Sequence, residues 1–204
     1  SEFGTYCYVT AGNKTYTVDP TQDPPTLVET RNHPATARGF SSDVFDNQLV
    51  VALGDDTDME IATAVTGTPN STAWTIAQGV RRSAVRTGKA GRFFSSRNNL
   101  VYNVLAGQNP ATLANYLPSA GEVVTDETHP VRALEEFLRG ITAGTDVTVR
   151  VFDPDAGFQS RALIAPNKLS PSEFDGRSLI THGTRLLFAT ARAVWMFEGG
   201  APPI

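Results

Sequence analysis

The chain has one cysteine, Cys7, which excludes an intrachain disulfide and a cysteine-built zinc site. Lysine is scarce as well, occurring only at Lys14, Lys89 and Lys168. The basic charge therefore rests on arginine, which holds planar and partly buried pairs better than lysine does. The three histidines, His33, His129 and His182, sit near turns or element ends, outside any zinc or hydrolase motif. There is no G-x-S-x-G elbow, no glycine-rich phosphate loop and no H-E-x-x-H. No apolar run approaches the roughly 18 residues of a membrane-spanning helix, and nothing reads as a signal peptide. A net charge of −4 argues against a nucleic-acid binder. No internal repeat and no low-complexity tract is evident.

What is present reads as strand. Thr5 to Thr10 and Lys14 to Val18 alternate around Ala11-Gly12-Asn13, and a proline-rich stretch follows at Asp19 to Pro25. Gln48 to Leu53 and Met59 to Val65 flank Gly54-Asp55-Asp56-Thr57-Asp58 as a hairpin. Further strands are expected at Thr72 to Val80, Asn99 to Leu105, Asp146 to Phe152, Phe158 to Ala165 and Thr184 to Phe197. Between two of these, Asp153-Pro154-Asp155-Ala156-Gly157 carries good hairpin-turn chemistry. One segment departs from this pattern. Val131, Leu134, Phe137, Leu138 and Ile141 recur at helical spacing after Pro130, and Glu135 and Arg139 stand at i, i+4. The expectation is a mainly β fold, barrel- or sandwich-like, with one short helix over about 130–141. Ser1-Glu2-Phe3 reads as a cloning scar, leaving 4–204 as a single domain.

Three features bear on chemistry. Cys7, between Tyr6 and Tyr8, reads as a small strand residue and would act as a nucleophile only with a histidine nearby in space. The acidic run Asp55, Asp56 and Asp58 faintly resembles a calcium loop but lacks its glycine and distal glutamate, so a solvated hairpin tip is expected. The stretch Arg81, Arg82, Arg86, Lys89, Arg92 and Arg97, with Phe93 and Phe94 interleaved, reads as a polar connection or as a surface for glycans or single strands. Exposed recognition is assigned to Arg81, Arg82, Arg86, Lys89 and Arg92 and to Asp55, Asp56 and Asp58. No metal, cofactor or catalysis is expected. The sequons Asn13-Lys14-Thr15 and Asn70-Ser71-Thr72 arise easily by chance in a threonine-rich chain.

The final part of the chain runs in a distinctive order: Leu117-Pro118, HPVRALEEFLRGITAG, DVTVRVFDPDAG, FQSRALIAP and RLLFATARAVWMFEGGAPP. This series resembles the C-terminal part of the protruding domain of calicivirus (norovirus-like) major capsid proteins. TLVETRNHP and VFDNQLVVAL look like the entry to that domain. The resemblance implies a virion-surface spike, assembled in the host cytoplasm, that pairs as a homodimer. Its partners would be a host receptor or glycan and the remaining capsid shell, with no membrane insertion. Its receptor-facing outer subdomain would be shortened to about 80–98, and Trp195, Phe197, Leu134 and Phe137 would form core between the helix and the last strands. The alternatives are a small β-rich secreted bacterial enzyme, which would gather Cys7 or an acid with a histidine in a cleft, and a carbohydrate-binding module.

Overall fold

The computed structural model describes residues 2–3, 6–19, 22–37, 41–64, 72–88, 91–138, 140–164, 169, 174 and 176–198. They form five antiparallel meanders, one after another along the chain. Sheet one comprises β1 (Glu2–Phe3), β2 (Tyr6–Ala11), β3 (Lys14–Val18) and β4 (Leu27–Asn32). Sheet two comprises β5 (Ser41–Phe45), β6 (Gln48–Ala52), β7 (Gly54–Ala64) and β8 (Thr72–Arg82). Sheet three comprises β9 (Ala84–Gly88), β10 (Arg92–Arg97), β11 (Leu100–Val104) and β12 (Leu117–Val123). Sheet four comprises β13 (Ala133–Phe137), β14 (Gly140–Gly144), β15 (Val149–Asp153) and β16 (Gln159–Ile164). Sheet five has three strands, β17 (Ile180–His182), β18 (Arg185–Ala189) and β19 (Val194–Glu198).

The sheets stack face to face, and the inner sheets bury side chains on both of their faces. In β6, Leu49 and Val51 enter the core shared with sheet one, whereas Val50 and Ala52 enter the core shared with sheet three. Phe93 and Phe94 likewise part company, the first joining the core with sheet two and the second the core with sheet four. Consecutive apolar residues such as QLVVAL are the mark of a strand buried on both sides. Each fully buried phenylalanine contributes about 2 kcal/mol of transfer free energy. The first strands of successive sheets lie side by side, β5 against β9, β9 against β13 and β13 against β17. They begin at Ser41, Ala84, Ala133 and Ile180, a period of roughly 45 residues. The result is propeller-like, with each meander a blade and the first strands at the inside.

Several expectations are corrected. The fold is mainly β, but it is neither a closed barrel nor a two-sheet sandwich. No helix spans 130–141: Ala133–Phe137 and Gly140–Gly144 are two strands of a hairpin, with Phe137 opposite Gly140. Leu138 takes φ 59 at the turn, so Phe137 and Ile141 lie on different strands and the helical spacing is a coincidence. A side chain at Gly140 would collide with the Phe152 carbonyl, which keeps β14 close to β15. Glu135 pairs with Arg86 of sheet three, and Arg139 lies outside the described residues. A repeat does exist, in structure, where the sequence shows none. Glu2 and Phe3 pair with Cys7 and Tyr6 as β1.

Other expectations hold. The strands at 48–53, 59–65, 72–80 and 99–105 appear as β6, β7, β8 and β11. The Asp153–Gly157 turn joins β15 to β16, with the Asp153 carboxylate accepting from Asp155 N at 2.9 Å. At the β5–β6 turn both Asp46 and Asn47 take positive φ, 48 and 56, the two-residue hairpin type that suits strand twist.

Candidate binding cleft at the head of the inner strands

The inner strands are tied to one another by polar side chains. Ser41 Oγ accepts from Val85 N at 3.1 Å and donates to Val85 O at 3.2 Å. Asp43 Oδ2 accepts from Thr87 N at 2.7 Å, and Thr87 Oγ1 donates to Val44 O at 2.7 Å. The Arg86 guanidinium lies between two carboxylates, 3.1 Å from Glu135 and 3.8 Å from Asp43. Glu135 also accepts from Thr181 N at 3.2 Å, and Thr181 Oγ1 donates to the Glu136 carbonyl. The ladder thus crosses four sheets in turn, from β5 through β9 and β13 to β17. Burial pushes the Glu135 carboxyl above its ordinary range, and Arg86 opposes that push.

Where these strands begin, the molecule opens into a cleft of about 620 Å³. Its lining includes the hydroxyls of Ser41 and Ser83, the acids Asp55 and Asp56 and the arginines Arg132 and Arg177. The walls are braced across sheets. Asp55 Oδ1 accepts from Asn98 N at 2.9 Å, and Asn98 O accepts from Val131 N at 2.7 Å. The approach to Arg177 demands glycine at Gly176, where φ is 77 and an added Cβ would lie 2.9 Å from the Thr145 carbonyl carbon. Asp56, Arg132 and Arg177 are exposed and Asp55 is half-buried. Acidic, basic and hydroxyl groups in one cleft suit a polar ligand bearing both signs of charge.

The residues singled out from sequence are scattered over this frame. Asp55 and Asp56 line the cleft, and Arg86 sits in the ladder beside it. Asp58 and Arg81 pair with each other at 3.1 Å on the outer strands of sheet two. Arg92 reaches across to the β15–β16 turn, bonding Pro154 O at 2.7 Å and lying 3.4 Å from Asp155. Arg82, read as exposed, is buried: its guanidinium lies 4.5 Å from the Tyr102 ring centre and 4.1 Å from that of Tyr116. Burial lowers its pKa, and the two tyrosine faces supply the cation–π attraction that compensates. Lys89 lies outside the described residues, as does Asn70. The basic stretch is therefore not one loop but the end of β8 and the whole of β9 and β10. Asp43, Arg132 and Arg177 were not singled out, and Glu135 was read only as a helix partner of Arg139, because only the stacking of sheets gives these residues their neighbours.

A second polar cluster pins sheet one to sheet two. His33 is buried, with Nε2 2.7 Å from Thr15 Oγ1 and Nδ1 3.0 Å from Glu60 Oε2. Arg31 donates to both Glu60 oxygens, at 2.6 and 3.0 Å, and its guanidinium lies over Trp74. Burial would raise the Glu60 pKa, but the hydrogen bonds from His33 and Arg31 outweigh it and hold the carboxyl below its ordinary range. His129 pairs with Asp146 at 2.7 Å. Neither histidine lines the cleft, and Cys7 is a half-buried strand residue.

No family model matches the sequence, and no curated protein matches it. Solved structures match in fold. The extracellular domain of BT4673 of B. thetaiotaomicron, described as a hybrid two-component system, aligns with 98% of this chain at TM-score 0.63 and 14% identity. YCF48 from Cyanidioschyzon merolae aligns with 96% of it at TM-score 0.60 and 14% identity, and the WD40 β-propeller domain of Doa1 with 95% at TM-score 0.50 and 15% identity. This chain spans only 25% of the BT4673 domain, 66% of YCF48 and 63% of the Doa1 domain. These likenesses overturn the calicivirus reading, and with it the spike function and the virion-surface location. The series that carried the resemblance runs from the last strand of sheet three through sheets four and five: Leu117-Pro118 opens β12, HPVRALEEFLRGITAG supplies β13 and β14, and RLLFATARAVWMFE supplies β18 and β19. Phe137 and Leu134 are core as expected, but Trp195 is half exposed, stacked on Phe188 at the sheet edge. The chain has the fold of propeller blades.

Proposed function

We propose that this chain is a non-catalytic recognition module, a run of propeller blades that binds a polar, mixed-charge ligand in the cleft at the head of its inner strands. The observation that carries this reading is the cleft itself, whose lining brings Asp55 and Asp56 together with Arg132 and Arg177 beside a cross-braced ladder. A site held by several rigid elements binds with little ordering cost. A peptide segment presenting a basic and an acidic side chain satisfies both signs of charge, with the serines accepting its backbone donors. The fold likeness to an extracellular domain of a described two-component system supports a sensing role outside the cell, as one part of a larger array of blades. In this reading Asp55 and Asp56 belong to the binding surface, Arg86 to the ladder beside it, and Arg81, Arg82, Arg92 and Asp58 to the surrounding scaffold.

The test is a mixed-charge peptide array probed with the wild type and with Arg132→Glu and Asp56→Lys. Both variants change exposed side chains, so circular dichroism should be unchanged. The reading expects peptides whose binding falls at least tenfold in each variant. Peptides, or glycans on a parallel array, that bind all three proteins equally would place recognition elsewhere.

A further inference from the structure

Asp55 and Asp56 do not stand on a regular strand. Gly54 pairs with Arg82 and Asp58 with Arg81, so Asp55, Asp56 and Thr57 are looped out of β7 between consecutive partners on β8. The loop opens at Gly54, where φ is 106, and closes on buried Thr57, whose hydroxyl lies 3.3 Å from that of Thr36. A bulge of this kind re-aims side chains that a regular strand would send elsewhere. The Asp55 carboxylate is held from another sheet, by the N–H of Asn98 at 2.9 Å.

Asn98 is the first residue of the two-residue turn between β10 and β11, where Arg97 pairs with Leu100. It takes φ 50, a conformation that asparagine and glycine tolerate and β-branched residues resist. Its N–H points to Asp55, and its carbonyl accepts from the N–H of Val131, 2.7 Å away, beside Arg132 at the head of sheet four. The next residue fastens the same link. Asn99 O accepts from Val124 N at 2.9 Å, and Asn99 Nδ2 donates to Thr125 O at 2.6 Å. One residue of sheet three thus bridges the acidic bulge of sheet two and the arginine-bearing start of sheet four, and it does not itself line the cleft.

From this we infer that Asn98 is a positioning residue: it fixes the separation between the two acids and Arg132, and so sets how far apart the charges of an accepted ligand must lie. This rests on the reading of the cleft as the binding site. Both bonds are made by the backbone, so Asn98 acts through its φ and not through its side-chain amide. A fixed gap discriminates by charge spacing, because a ligand of the wrong length satisfies one charge and leaves the other unpaired.

The test probes peptides in which a lysine and a glutamate are set progressively further apart, against the wild type, Asn98→Gly and Asn98→Val. The wild type is expected to favour one spacing about tenfold over its neighbours. Asn98→Gly retains φ 50 and both backbone bonds and should keep that preference. Asn98→Val is driven out of the left-handed region and releases both bonds, which should flatten the preference to about twofold or less while peptides still bind. Asn98→Ala, less strained at this φ, takes its place if circular dichroism shows Asn98→Val unfolded. Amide exchange supplies a readout without peptide: the Val131 N–H should exchange at least about tenfold faster in Asn98→Val than in Asn98→Gly. Equal exchange in the two, a wild type that binds every spacing alike, or an Asn98→Val that keeps the wild-type preference would overturn the inference and leave the cleft as the binding site. A wild type that binds no mixed-charge peptide would overturn both.

Discussion

Sheets two and five are built to one plan and end in different surroundings. In β6 the residues Leu49, Val50, Val51 and Ala52 alternate between two cores, and all four are fully buried. In sheet five, Leu186 and Phe188 are just as buried, while Ile180 and Met196 on the opposite face are more than half exposed. The difference lies in the neighbours and not in the strands. A meander of this kind has two apolar faces and is complete only with a sheet on each, so the inner sheets carry most of the stability.

The largest expected effect sharpens that contrast. Phe93→Ala, in the core between sheets two and three, should cost about 3–5 kcal/mol in urea unfolding. Met196→Ala should cost less than about 0.5 kcal/mol. Equal losses would break the comparison.

The polar cluster between sheets one and two comes next. Glu60→Gln removes the negative charge that Arg31 and buried His33 share, turns one of its two acceptor oxygens into a donor, and should lower stability by about 3 kcal/mol. Because the folded pKa of Glu60 is depressed, its stabilisation is complete above the ordinary value of 4.5 and is lost as pH falls through the lower, folded value. Melting temperature should therefore fall more steeply with acid in the wild type than in Glu60→Gln. Glu135 has the opposite sign. Its folded pKa is raised, so the wild type should lose stability relative to Glu135→Gln as pH rises from 4.5 through the raised value. The overall cost of Glu135→Gln should be about 1 kcal/mol, since Arg86 remains 39% exposed. Parallel slopes for the two variants would contradict this assignment.

The smallest effect is local. Asn47→Ala places an ordinary side chain at φ 56 in the β5–β6 turn and should cost about 1 kcal/mol by thermal melting.

Strands were legible in this sequence because alternation and turn chemistry act locally, as in Lys14–Val18 or the Asp153–Gly157 turn. Two things were not. Phe93 and Phe94 are neighbours in sequence and belong to different cores, and nothing local says which side each takes. The segment 130–141 spaces its apolar residues like a helix, and only a turn at Leu138, stabilised by strand pairing with β15 and packing on sheets three and five, makes it a hairpin. The candidate cleft was half legible. Asp55 and Asp56 stood out as an acidic run, but Asp43, Glu135, Arg132 and Arg177 acquire meaning only when first strands roughly 45 residues apart lie side by side. Arg82 was misplaced for a different reason: two tyrosines distant in sequence supply the faces that make its burial tolerable.

The most direct test of this architecture is a double-mutant cycle on Arg86 and Glu135, which the stack brings to 3.1 Å across sheets three and four. Arg86→Ala, Glu135→Ala and the double variant, compared by urea unfolding, should give a coupling of about 1 kcal/mol. No coupling between them would contradict the stacked-sheet account.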